Sequence, residues 1–250
     1  MILFPIADEL ADKTSVSAWQ AVQERQQLNT PSHWVITQPS HAALAGDLAA
    51  ALREELFGPI DTTISRSIAL HDSGWSMDDA EQIQRLRSDA KAKPCSFLDA
   101  SPRQFLRAWT ASIETVEKFA PAGGYMVSRH FERLSNRNDE KHQPELEGFR
   151  SREKQRQHRL RGGTKLEEGA LERLVDALQF CDLLSLYLCS GSARPVKFSN
   201  PDVTLTRSGG EYKLEPFPFR EHRQFSFSAL RHPGSNNKKE KSGATFHINL

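Results

Sequence analysis

Apolar positions recur at helical spacing through much of the chain, and then the spacing changes. In "PSHAALAGDLAAALREEL" one stripe runs through His41, Leu44, Ala45, Leu48 and Leu52. A second, in "TTISRSIALHDSGW", runs through Ile64, Ile68, His71, Asp72 and Trp75. A third, in "GGYMVSRHFERL", holds Val127, His130, Phe131 and Leu134. A fourth, in "ALERLVDALQFCDLLSLYLC", holds Leu171, Leu174, Val175, Leu178, Asp182, Ser185 and Cys189. From Pro195 the period shortens to two in "VKFS", "DVTLTRSGGEYKLEPF", "RQFSFSALR" and "ATFHINL", with Gly-Gly and Asn-Asn turns between some of them. The pattern predicts a mainly α protein, with a helical bundle over 41–189 and an antiparallel β segment over 195–250. The corresponding division is a helical domain over 1–190 and a β-rich C-terminal extension over 191–250 packed on it.

Other stretches are less regular. "VSAWQAVQERQQL" predicts a short helix and "WVIT" a short strand. "SNNKKEK" reads as an exposed loop between two strands. Residues 137–169 are dense in charge and predict a solvated helix with a mobile connection.

Composition adds mainly exclusions. With 38% hydrophobic and 26% charged residues the chain resembles an ordinary soluble domain. A net charge of +1 gives no electrostatic footprint for nucleic acid or membrane. No apolar run approaches the ~20 residues that span a bilayer. The first residues lack the basic and long apolar regions of a secretory signal. Three cysteines without CxxC spacing predict reduced thiols and a cytoplasmic protein.

The four stripes share one anomaly. Each helix places a histidine or an aspartate on its inward face. A buried carboxylate is costly unless it is paired or bound to metal. Three imidazoles and two carboxylates on converging faces form a donor set for a divalent transition metal: Mn, Fe, Ni, Co or Zn. One ion is expected, and a second is allowed.

The order His41, then His71-Asp72, then Asp182 resembles the H…HD…D signature of the HD-domain superfamily of metal-dependent phosphohydrolases, over residues 33–190. "HWVITQPSHAALAGDLA", "ALHDSGW", "SRHFERL" and "DLLSLYLC", with Gln38, Trp75 and "LEPFPF", also resemble a mostly bacterial branch of it known as a domain of unknown function. The resemblance implies an HD-domain-like helical bundle in which His41, His71, Asp72 and Asp182 bind the first metal. It implies that Asp72 also orients or deprotonates the attacking water. His130 falls where two-metal members place an additional histidine, which makes it a further ligand and catalytic candidate. Those members use one more histidine. His142 and His158 lie in the charged segment, off any clean stripe, so this departure puts a two-metal centre in doubt.

The implied function is hydrolysis of a nucleotide or other small phosphate ester. The alternatives are a di-iron oxygenase of the same fold and a non-catalytic metal-binding or sensing module. A phosphate substrate calls for cationic clamps. Arg66, Arg129 and Arg133 lie near the ligand segments, and Lys91 and Lys93 lie in the connection after the second helix; Arg129 and Arg133 are the candidates because they flank His130. Trp75 is expected to wall the substrate cavity. His71 and Asp72 are expected to end the second helix, with Gly74 letting the chain leave it. The expected partner is a small phosphate substrate, with neither nucleic acid nor membrane, and homo-oligomerisation is left open.

Overall fold

A computed structural model describes residues 1–7, 14–89, 91–136, 143–208, 211–233 and 243–250. The order is β1 (Ile2–Pro5), β2 (Val16–Ser17), α1 (Ala18–Gln26), β3 (His33–Ile36), α2 (Gln38–Ala51), α3 (Glu54–Phe57), α4 (Thr62–Ala69), α5 (Ser76–Ser88), α6 (Pro102–Glu117), α7 (Pro121–Ser135), α8 (Gln143–Arg161) and α9 (Glu168–Ser190). Then come β4 (Val196–Ser199), β5 (Asp202–Ser208), β6 (Glu211–Glu215), β7 (Gln224–His232) and β8 (Gly243–Asn249). Short 3-10 turns lie at Ser73–Trp75 and Phe97–Asp99.

Helix starts follow local side-chain chemistry. Thr37 caps α2 by accepting from the Ser40 amide, with a proline in the first turn. Asp61 caps α4 by accepting from the Ile64 amide. Ser101 and Gln104 form a reciprocal capping box on α6.

The strands make two four-stranded sheets, ordered β1-β3-β7-β8 and β2-β4-β5-β6. The pairs are antiparallel except β2–β4, which is parallel. This corrects the expectation of a mainly α, HD-domain-like bundle with one C-terminal β segment. The architecture is mixed α/β, because N-terminal strands enter both sheets. The physical reason lies in burial. β7 alternates buried and exposed residues from Gln224 to Ala229, so its period is visible. In β1, Ile2 and Leu3 are both buried, and in β3 Val35 and Ile36 are both buried. A strand covered on both faces reads as a short apolar run without period.

Helix α9 packs against α1, α2, α3 and α7 and against β1. From Leu171 to Cys189 it contributes to the main core. The approach of α2 to α4 depends on Gly46. A Cβ there would lie 2.5 Å from the Ala69 Cβ and 2.9 Å from the Ser65 carbonyl oxygen. Without that atom, the end of α4 comes close enough to bring the His71-Asp72 turn beside His41.

The charged segment is less solvated than its composition predicts. α8 buries Leu146, Phe149, Glu153 and Leu160 against its neighbours. Residues 137–142, which include His142 and the expected connection, lie outside the described residues. So do Gly209-Gly210 and the "SNNKKEK" loop. Among the described residues, no helix is long and apolar enough to cross a membrane.

Candidate metal centre

The inward polar groups meet at one place. α2 supplies His41, α7 supplies His130 and α9 supplies Asp182. His71 and Asp72 do not end the second helix of the motif as expected. α4 stops at Ala69, and the two residues occupy the turn between it and the Ser73–Trp75 3-10 turn. Successive residues in such a turn diverge less regularly than on a helix, which lets both face the centre. The role expected of Gly74 is corrected as well. Its amide donates to Ser112 Oγ at 2.9 Å, and a Cβ would lie 2.0 Å from the Ala108 carbonyl oxygen. Glycine is needed there because α6 crosses the turn in backbone contact.

Single atoms of His41, His71 and Asp182 lie within 4.8 Å of one another, so these three residues could hold a metal ion. His71 Nε2 is 3.3 Å from Asp182 Oδ1, poorly aligned for a hydrogen bond. Asp72 Oδ2 is 3.0 Å from His41 Nε2 and 3.7 Å from His71 Nε2. His130 Nε2 is 3.6 Å from Asp182 Oδ2, and its ring stands edge-on to His71 with centroids 5.7 Å apart. The three histidines are at most 1% exposed.

Neighbouring hydrogen bonds fix how the two central imidazoles present themselves. The Ser185 hydroxyl donates to the Asp182 carbonyl at 2.8 Å. Its oxygen is therefore left to accept from His41 Nδ1, 2.9 Å away. His71 Nδ1 donates to the Ile68 carbonyl at 2.8 Å. Both rings thus keep the proton on Nδ1 and turn Nε2 toward the carboxylates. A neutral His41 would then set a lone pair against Asp72 Oδ2 at 3.0 Å. Only a proton or a cation between them removes that repulsion. An outer N–H bond that aims the inner nitrogen is how proteins prepare histidines for metal. The donor set therefore fits a divalent cation.

The charges respond to one another. Burial pushes the His71 imidazole down, but the Asp72 charge and then the Asp182 carboxylate outweigh it and hold it up at about 9. Burial pushes the Asp182 carboxyl up. The His71 contact and the charges of His71, His130 and His41 outweigh that and hold it well below the usual carboxylate range.

A cavity of about 650 Å³ opens onto the centre. His71, Asp72, His130 and Asp182 line it, whereas His41 lies behind them. Trp75 lines it as expected and packs edge-on against Phe105, centroids 5.2 Å apart. Among the described residues, no lysine or arginine lines it. The reading of Arg129 and Arg133 as phosphate clamps is corrected accordingly. Arg129 bonds Glu132 at 2.6 Å and Glu172 at 3.3 Å, while Arg133 bonds Glu172 and Asp176, both at 2.6 Å. Arg66 lies over the Phe119 ring, and Lys91 and Lys93 border a separate depression beside His33 and His232.

The arginine network carries a pH prediction. Burial raises the Glu172 carboxyl, but the Tyr125 hydroxyl, Arg133 and Arg129 outweigh it and hold it below its ordinary 4.5. A carboxyl depressed by folding stabilises the fold above its unfolded value, and that stability is lost as pH falls through the folded value. The melting-temperature advantage of the wild type over Glu172→Gln should be full at pH 6 and shrink steadily below 4.5. An advantage unchanged at pH 3 would contradict this.

Several residues of the site were not singled out from the sequence. Ser185 was visible only as one position of the α9 stripe, yet it sets the His41 tautomer. Gln179, also on α9, lines the cavity and accepts from Arg133 Nη1 at 2.7 Å. Trp19 and Trp109 line the cavity from α1 and α6. Their sole sequence signal was the aromatic residue itself, which a core position explains equally well.

No curated protein and no solved structure matches the chain. The family comparison yields no HD-domain match, which corrects the expectation of membership in the HD superfamily. The metal-binding group stands on its own geometry, apart from that resemblance. The match lies instead with a family described as "Protein of unknown function (DUF3891)", over residues 25–230, which is most of the chain, and the chain belongs to that family.

Proposed function

We propose that the protein is a metal-dependent phosphohydrolase acting on a small phosphate ester, with one divalent transition metal held by His41, His71, Asp72 and Asp182. The observation that carries the proposal is the pair of Nε2 atoms turned by Ser185 and Ile68 toward two buried carboxylates, next to an open cavity. When bound there, the ion would lower the pKa of water toward neutrality and polarise a phosphoryl oxygen.

The chain's own groups do the remaining work. His41 and Asp182 fix the centre from helices α2 and α9, and His71 from the turn after α4. Asp72 is on the cavity side and accepts the proton of the attacking water. The water oxygen bonds to phosphorus as the ester P–O bond breaks, and the electron pair of that bond leaves with the alcohol oxygen. His130 is placed to return a proton to that oxygen. The aromatic wall around Trp75 and Phe105 limits competing bulk water.

The test is metal analysis of the purified protein, followed by phosphatase and phosphodiesterase screens with Mn²⁺, Ni²⁺, Co²⁺ and Fe²⁺ added. Replacing Asp72 with asparagine should lower turnover by about 10²–10⁴, the range of general acid–base contributions. Unchanged turnover in Asp72→Asn, or no hydrolysis with any of the four ions, would contradict the proposal.

A further inference from the structure

The cavity contains a buried acceptor that the hydrolytic reading leaves unused. Gln38 lines it, is only 2% exposed, and its Oε1 has no hydrogen-bond partner. A buried amide oxygen without a donor is costly, and a ligand N–H would offset that cost. The residue is well anchored. It opens α2, and its backbone amide donates to the Asp79 carboxylate of α5. Gln23, Asn136 and Gln179 add further neutral polar groups to the lining.

The rest of the lining is apolar, six aromatic side chains and four leucines. Trp75, Phe105, Trp109 and Phe131 form a continuous chain with centroid separations of 5.2, 5.4 and 5.1 Å. Trp19 and Phe97 form a second cluster, 6.2 Å apart. Flat rings stack on such surfaces without regard to charge. A phosphomonoester dianion or a polyphosphate would meet two carboxylates here with, among the described residues, no cationic side chain to offset them. One divalent ion balances the two carboxylates, so a diester adds a single net negative charge where a monoester dianion adds two.

We infer that the cavity takes an uncharged planar heteroaromatic ring offering an N–H donor to Gln38, a nucleobase, and that the substrate is a nucleoside phosphodiester. The inference rests on the hydrolytic reading for the diester and on the cavity alone for the ring. Three of the four tryptophans line the cavity, so intrinsic fluorescence reports its occupancy.

The experiment titrates the full chain, metal-free and Mn²⁺-loaded, with adenosine, guanosine, cytidine, uridine, ribose, inorganic phosphate and ATP. At least one nucleoside should quench the fluorescence saturably in both forms, and ribose and phosphate should not. ATP should bind no tighter than the nucleoside. Gln38→Leu should weaken nucleoside binding about tenfold, the value of one well-placed hydrogen bond to a buried group, with metal content unchanged. A nucleoside p-nitrophenyl phosphodiester should be cleaved at least tenfold faster than p-nitrophenyl phosphate. No nucleoside binding by the folded wild type, or tighter binding of phosphate or ATP, would overturn the inference. Nucleoside binding by a chain that takes up no metal would instead overturn the hydrolytic reading and leave the ring site standing. Metal uptake with monoester cleavage and no nucleoside binding would do the reverse.

Discussion

Asp182→Asn is expected to yield a folded protein that no longer retains a metal ion. The substitution keeps the shape of the side chain and removes the charge that faces His71, His130 and His41. It also removes part of the support that holds the His71 imidazole at about 9. Loss of an outer partner of a metal-bound histidine typically costs 10–100-fold in affinity, and loss of a direct ligand should exceed about 100-fold. The fold should survive because the Ser185–Asp182 carbonyl bond and the α9 packing involve only backbone and apolar contacts at this position. Calorimetric titration with Zn²⁺ or Mn²⁺, beside circular dichroism of the same sample, separates the two effects. Full affinity in a folded Asp182→Asn protein would remove Asp182 from the centre.

Gly74→Ala is expected to be the most damaging single methyl addition near the site. The new Cβ would meet the Ala108 carbonyl oxygen at 2.0 Å and the Ser112 amide at 2.9 Å. Both are backbone atoms of a helix, so neither can swing aside, and α6 must move away from the turn. Overpacking of this kind costs about 1–3 kcal/mol, which lowers the melting temperature by about 2–12 °C in a chain of this size. The shift would also pull Phe105 and Trp109 away from Trp75 and break the Gly74–Ser112 hydrogen bond. Thermal unfolding followed by tryptophan fluorescence reads both. A melting temperature within 1 °C of wild type would contradict the close approach.

What could be read from the chain depended on how burial writes itself into sequence. The stripes of α2, α7 and α9 each bury one polar residue among apolar ones. The intruders His41, His130 and Asp182 therefore stood out against their surroundings, and they converge. The alternation of β7 was visible because its two faces differ. β3 was legible as the short apolar run "WVIT", whereas β1 was opaque, and the joining of both into one sheet with the C-terminal strands β7 and β8 leaves no local signature. The His71-Asp72 pair looked helical because its apolar neighbours continue the stripe, while the hydrogen bonds that end α4 at Leu70 are set by its surroundings. Arg129 and Arg133 flank His130 in sequence, but on the helix Arg129 points about 100° and Arg133 about 60° away from it. The two stand four residues apart on a shared face, which turns toward Glu172. The resemblance to the HD superfamily rested on four residues and their order, a pattern that convergent metal chemistry can produce in another family.

The central claim is that His41, His71 and Asp182 hold a metal ion, and the metal-to-protein ratio tests it most directly. Wild type and Asp182→Asn are loaded with excess Mn²⁺, Fe²⁺, Ni²⁺, Co²⁺ or Zn²⁺, stripped of free ion by gel filtration, and analysed by elemental mass spectrometry. About one ion per chain is expected in the wild type for at least one of these metals, with next to none in the folded variant. A wild type that retains none of the five metals, or a variant that retains as much as the wild type, would contradict the account.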